Sequence, residues 1–163
     1  VMMWGDVLHW HPERVSDIPE DVVLLNWYYG SDADTAEKMI KLFHDGNRKQ
    51  IACPATWAWN HFSEFLPISI PNITHMTRLA REYGAEGILN TNWGDWANPC
   101  SIELAMYGLV LGAEKSWSVS TKVNDEFYSR VNSILYENEN GIKYLKKFKD
   151  YILTKRKTSC IIS

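Results

Sequence analysis

Short apolar runs, each closed by aromatic and polar residues, recur along the chain at intervals of a few tens of residues. Val1–Trp4 is the first such run. Asp21–Tyr29 follows, with Val22-Val23-Leu24-Leu25 as its apolar part and Trp27-Tyr28-Tyr29 at its end. Gln50–Pro54 and Gly87–Trp93 are the third and fourth. Runs of this length between turn signals read as buried parallel strands. Between them the spacing of apolar positions becomes helical. A helix is predicted over Ala33–Asp45, with Asp32 or Asp34 as its cap and Gly46 as its stop. Further helices are predicted over Asn72–Tyr83, closed by Gly84, and over Ser101–Leu111, closed by Gly112. Helical periodicity returns over Val123–Leu135 and Lys143–Ile152. Asp6–Pro19 reads as a loop that packs Trp10 and hydrogen-bonds His9 and His11. The tail from Thr154 is basic and reads as frayed.

Strand and helix therefore alternate, which predicts an α/β chain with a parallel sheet and crossover helices. Every strand ends in aromatic and polar residues, on the side where such folds place their sites. Four strand–helix units amount to half of an eight-stranded barrel.

The most informative stretch is Asn90-Thr91-Asn92-Trp93-Gly94-Asp95-Trp96, entered from Gly87-Ile88-Leu89. Trp93 and Asp95 are two apart, so an extended backbone points both to one side. An indole covers the apolar face of a sugar ring, and a carboxylate accepts protons from its hydroxyls. A core Trp beside a turn Asp would explain the same residues. The sugar reading gains because Met3-Trp4-Gly5-Asp6 repeats the pattern at another strand end.

These four strand ends, in order, resemble the second half of the catalytic barrel of family 20 glycoside hydrolases, the β-N-acetylhexosaminidases. Met3-Trp4-Gly5-Asp6 resembles that family's fifth strand, and Leu25-Asn26-Trp27 its sixth. Pro54-Ala55-Thr56-Trp57-Ala58-Trp59-Asn60 resembles the seventh, and Gly87 through Asp95 the eighth. Tyr107–Trp117, with Gly108, Gly112 and Ser116, resembles the final barrel helix. The resemblance spans residues 1–118 and implies the C-terminal half, strands five to eight, of a TIM (β/α)8 barrel; residues 119–163 match nothing in that family and read from their periodicity as C-terminal helices with a basic tail. It implies a substrate-binding set of Trp4, Trp27, Asn60, Trp93 and Asp95 around a terminal GlcNAc or GalNAc. The indoles would box the N-acetyl methyl, and Asp95 would hold sugar hydroxyls. The family's seventh-strand Tyr falls on Ala58, and its frequent eighth-strand Glu on the shorter Asp95. Its catalytic Asp-Glu pair belongs to the fourth strand. No catalytic residue is therefore expected within this chain, which opens inside an apparent strand and suggests a longer protein upstream. A non-catalytic carbohydrate-binding or scaffold fragment is the competing class.

Other chemistry was weighed against the residues. Asp6 and Asp95 could act directly as acid and base. Asp125-Glu126 opens a helix, where capping accounts for it. His9, His11 and Glu13 match no established metal spacing, and no metal or cofactor is expected. Three separated cysteines among 163 residues suggest no disulfide framework. Cys160-Ile161-Ile162-Ser163 fits a prenylation box after a basic stretch, but a four-residue match arises easily by chance and a frayed basic tail is the preferred reading.

Composition narrows the rest. A hydrophobic content of 45% permits a sizeable core, and a net charge of -3 implies no pull toward nucleic acid. No apolar run reaches the roughly eighteen residues that a membrane span needs. Eight Trp and eight Tyr suit binding walls. A signal peptide is not visible, and a cytoplasmic location is slightly favoured over secretion, with the compartment left open. Two open sheet edges would make a homodimer of half-barrels the expected assembly.

Overall fold

A computed structural model describes residues 1–95 and 99–137. The expected helix over Lys143–Ile152 and the Cys160 tail lie outside the described residues. The chain divides between Thr121 and Lys122.

The first unit is an α/β structure around a four-stranded parallel sheet of order β1-β2-β3-β4. The strands are β1 (Met2–Trp4), β2 (Val23–Trp27), β3 (Lys49–Cys53) and β4 (Gly87–Ile88). Its helices are α1 (Asp6–Trp10), α2 (Ala33–Asp45), α3 (Leu66–Glu82) and α4 (Met106–Trp117). Each spatial neighbour is also the next strand in sequence, so the order never reverses.

Register sorts the side chains onto two faces. Leu24 pairs with Gln50 and Asn26 with Ala52, while Leu25 pairs with Ile51 and Trp27 with Cys53. Helices cover the first face. Ala52 packs with Ala36 and Ile40 of α2 and with Met76, Leu79 and Ala80 of α3. Leu24 packs with Leu8 of α1, Val15 and Phe43. That face also buries a polar chain. His9 Nε2 donates to Asn26 Oδ1 (2.9 Å), and Asn26 Nδ2 donates to Gln50 Oε1 (2.8 Å) and the Met39 carbonyl (3.0 Å). Gln50 Nε2 donates to the Ile40 carbonyl (2.9 Å), so β2, β3 and α2 share one satisfied network.

The second face carries Met2, Trp4, Val23, Leu25, Trp27, Ile51 and Leu89 by alternation. Met2 stays 63% exposed and Trp4 38%. Parallel sheets normally bury both faces, so this partly open apolar face is the unusual feature of the unit.

Several elements depart from expectation. Asp6–Pro19 is not an open loop: α1 is followed by a 3-10 helix, Pro12–Asp17, because Leu8 and Val15 are drawn onto Leu24 and Phe43. Trp10 does not pack; it is 72% exposed. α3 begins at Leu66 rather than Asn72. Pro67 fits its first turn, where no intrahelical N–H is needed, and the helix continues through Pro71. β4 stops at Ile88 in place of Trp93. Ladder bonds still continue from Leu89 N to Ala52 O (2.9 Å) and from Thr91 N to Pro54 O (2.8 Å). α4 runs on to Trp117, and Gly112 sits inside it. A Cβ there would meet Asn90 Nδ2 at 2.2 Å, so this glycine admits the Asn90 side chain and does not end the helix.

In the second unit, α5 (Asp125–Tyr136) is capped by Asn124, whose side chain accepts from Phe127 N (3.0 Å). Asp125 and Glu126 lie in its first turn, where carboxylates complement the helix dipole.

Candidate functional site

A cleft of about 440 Å³ opens at the C-terminal ends of the strands. Trp4, Asp6, Trp27, Tyr29, Trp59, Trp93 and Asp95 line it. Every strand contributes, either at its last residue or just beyond. Trp4 ends β1, and Gly5 lets the chain turn beneath Phe43, whose ring a Cβ would approach to 2.7 Å. Asp6 then opens α1. Trp27 ends β2, and Tyr29 follows two residues later on the same side. Trp59 lies on the segment after β3, while Trp93 and Asp95 follow β4.

The rings form a continuous wall. Trp27 and Tyr29 stack with centroids 4.9 Å apart, and Tyr29 lies 5.4 Å from Trp59. Trp4, the last residue of β1, and Trp93, five residues past β4, meet at 5.7 Å although those strands are the two outermost. Three strand spacings in a flat sheet amount to roughly 14 Å. The indoles meet because they converge over the open face.

Tyr29 is the wall's strut. Its hydroxyl accepts from Trp93 Nε1 (2.7 Å) and also bonds the Thr91 side chain, which donates to the Pro54 carbonyl (2.9 Å). Burial raises the phenol pKa, the Thr91 and Trp93 bonds pull it back, and the nearby Cys53 and Asp95 raise it further. Trp57 Nε1 donates to the Tyr29 carbonyl, with Trp57 held at a left-handed φ of 59°. Below the strand ends, Asn72 of α3 clamps the backbone. Its Nδ2 donates to the Tyr28 (2.7 Å) and Gly30 (2.8 Å) carbonyls, and its Oδ1 accepts from Ala55 N (3.0 Å).

Glu64 anchors the segment that carries Trp57 and Trp59. Its Oε2 accepts from Gly108 N in the first turn of α4 (2.6 Å), while its buried Oε1 has no partner. Burial pushes this carboxyl up to about 8, against the pull of the Gly108 and Tyr107 amides.

Of the expected binding residues, Trp4, Trp27, Trp93 and Asp95 come together in the cleft. Asn60 does not join them; it is exposed in the turn after Trp59 and does not line the cleft. Tyr29 and Trp59 complete the wall and are absent from the expected set. The two-residue step that pairs Trp93 with Asp95 also pairs Trp27 with Tyr29, so Tyr29 carried a readable signal. His9, considered for a metal, is bonded to Asn26 and stacked on Phe43 (4.9 Å), while His11 faces Glu13 (3.4 Å). Among the described residues no group of three or more His, Cys, Asp or Glu side chains could hold a metal ion. Nor, among them, is any helix long and apolar enough to cross a membrane. Cys53 is fully buried, and burial holds its thiol near 12, far from a reactive thiolate.

No protein-family model matches the chain, and no curated protein does. The functional reading therefore rests on the cleft itself.

Proposed function

We propose that this chain is the C-terminal half, strands five to eight, of a (β/α)8 glycoside hydrolase barrel of the β-N-acetylhexosaminidase kind. Its cleft receives a terminal N-acetylhexosamine. The observation that carries the reading is one cleft at the strand C-terminal ends in which five aromatic rings face two carboxylates. Sites of eight-stranded barrels lie at that end. The barrel reading draws support from three features. The strand order does not reverse, as it would in a doubly wound sheet. Helices pack on one face only within the clusters described. Indoles from the outermost strands converge over the other face.

In this reading Trp93 and Trp4 cover the apolar face of the sugar ring and exclude water, and Trp27 closes the side. Asp95 accepts hydrogen bonds from sugar hydroxyls. Tyr29 holds the Trp93 indole. The chain binds and orients; in the family it resembles, the Asp-Glu pair that acts on the glycosidic bond lies on the fourth barrel strand. There the Asp would orient the substrate's own acetamido group as nucleophile and the Glu would protonate the leaving oxygen, a substrate-assisted route. A second reading has one observation in its favour: Asp6 and Asp95 line the same cleft and could serve as acid and base without an upstream pair.

The test is Asp95→Ala in a hexosaminidase-active protein that contains this chain. Loss of a charged acceptor costs about 1.5–3 kcal/mol per bond, so kcat/KM on an aryl N-acetylglucosaminide should fall roughly tenfold or more. An unchanged kcat/KM removes Asp95 from the site. The isolated chain should bind sugar without turnover. Turnover by it that Asp6→Asn abolishes would select the two-carboxylate reading.

A further inference from the structure

The cleft has an electrostatic bias that a neutral sugar does not offset. Trp4, Trp27, Tyr29, Trp59 and Trp93 place five aromatic rings around one volume of about 440 Å³. Asp6 and Asp95 add two carboxylates, and none of the described residues lining it is Lys, Arg or His. Aromatic faces are electron-rich, and a cation held within about 6 Å of them is attracted. The ring spacings of 4.9–5.7 Å between neighbours leave no ring isolated from the wall. Trp4 at 38% and Trp93 at 37% exposure keep the mouth open to an incoming ligand. A neutral sugar can give hydroxyls to Asp95 but leaves the negative charge of both carboxylates in place, whereas a cation is attracted by the rings and the acids together.

We propose that the cleft selects an organic ammonium group, carried on a body of sugar size, over its neutral counterpart. The shared chemistry covers both a quaternary ammonium ion and the protonated amine of an unacetylated hexosamine. The inference rests on the same cleft being the ligand site as in the proposed function, but not on the ligand being acetylated.

Two ligand pairs separate charge from shape. Choline and 3,3-dimethyl-1-butanol differ by a positive nitrogen against a carbon. Glucosamine, held at a pH where its amine is protonated, and N-acetylglucosamine differ in the charge and the acetyl group. Each is titrated into the 163-residue chain, with tryptophan fluorescence as the readout, at low and high salt. The expected result is a Kd lower by roughly tenfold for the cationic member of at least one pair, with the preference shrinking in salt. Choline alone preferred assigns a non-sugar cation; glucosamine preferred assigns an amino sugar. Asp6→Asn combined with Asp95→Asn should abolish the preference while leaving the far-ultraviolet dichroism unchanged. Equal or tighter binding of the neutral member in both pairs overturns the proposal, as does a preference that survives the double substitution. N-acetylglucosamine binding without any cation preference leaves the proposed function standing. Cation binding with no N-acetylglucosamine binding removes the proposed function and keeps this inference.

Discussion

Glu64→Gln isolates how the wall-bearing segment is fastened. Glu64 is 4% exposed, and its Oε2 takes the Gly108 amide at 2.6 Å. Its pKa is raised from 4.5 to about 8, first by burial, so the native state holds a proton that the unfolded chain releases. A carboxyl raised in this way gives its full stability below pH 4.5 and loses it as pH climbs through 8. One pKa unit corresponds to about 1.4 kcal/mol, so the difference of 3.5 units between those two values sets a ceiling of about 5 kcal/mol. Even half of that shifts the Tm of a chain this size by several degrees. Glutamine is neutral at every pH and keeps a carbonyl for the Gly108 amide. His9 and His75 run the other way: burial lowers both, so their contribution is gained as pH rises through the ordinary histidine range and lost as it falls. Both histidines are common to the two proteins and cancel in the difference. The assay is Tm by circular dichroism from pH 4.5 to 8.5. The expected result is a gap that moves steadily in favour of the glutamine variant as pH rises. Parallel curves refute the buried-proton reasoning.

Three other perturbations follow from the same geometry. Asn72→Ala strips the Tyr28 and Gly30 carbonyls and the Ala55 amide of their buried partner; at about 1–3 kcal/mol for each group left unpaired, denaturant melts should show a loss of about 3 kcal/mol or more. Tyr29→Phe removes the acceptor of Trp93 Nε1, so sugar affinity should fall several-fold with little change in Tm; unaltered binding would deny Tyr29 its strut role. Among the described residues the sheet ends at β1 and β4 and keeps a partly exposed apolar face; on the half-barrel reading proposed above, a homodimer is expected. Light scattering at micromolar concentration should give twice 18.9 kDa, and a monomer with a concentration-independent melt rules the dimer out.

Legibility in the sequence followed how local each cause is. The expected bounds of α2, Ala33–Asp45, are the observed ones because both signals are adjacent in the chain: Asp32 accepts from Thr35 N (2.8 Å), and Gly46 stands at the other end. α3 was expected only from Asn72, whereas it starts six residues earlier, with Pro67 in its first turn and Pro71 carried within the helix. Gly112 read as a stop because its true cause, the Asn90 side chain against α4, lies far back in the sequence. Part of the cleft was legible: two-residue alternation paired Trp93 with Asp95, while Trp4 and Trp27 came from the order of strand ends that resembles the hexosaminidase barrel. Asn60 was expected on the strand line, but the chain has already turned at Trp59. Glu64 gave no sign at all. A glutamate between Ser63 and Phe65 reads as surface, and the amide that buries it is 44 residues away.

The central claim, that this aromatic cleft holds a terminal N-acetylhexosamine, is tested most directly on the indole N–H resonances of the eight tryptophans. Trp93 bonds Tyr29 inside the cleft, while Trp10 at 72% and Trp117 at 88% exposure lie outside it and serve as internal controls. Titration with the methyl β-glycoside of N-acetylglucosamine should shift Trp93 and Trp4 saturably and leave Trp10 and Trp117 unmoved. Shifts confined to Trp10 and Trp117, or none at millimolar ligand, would contradict the account.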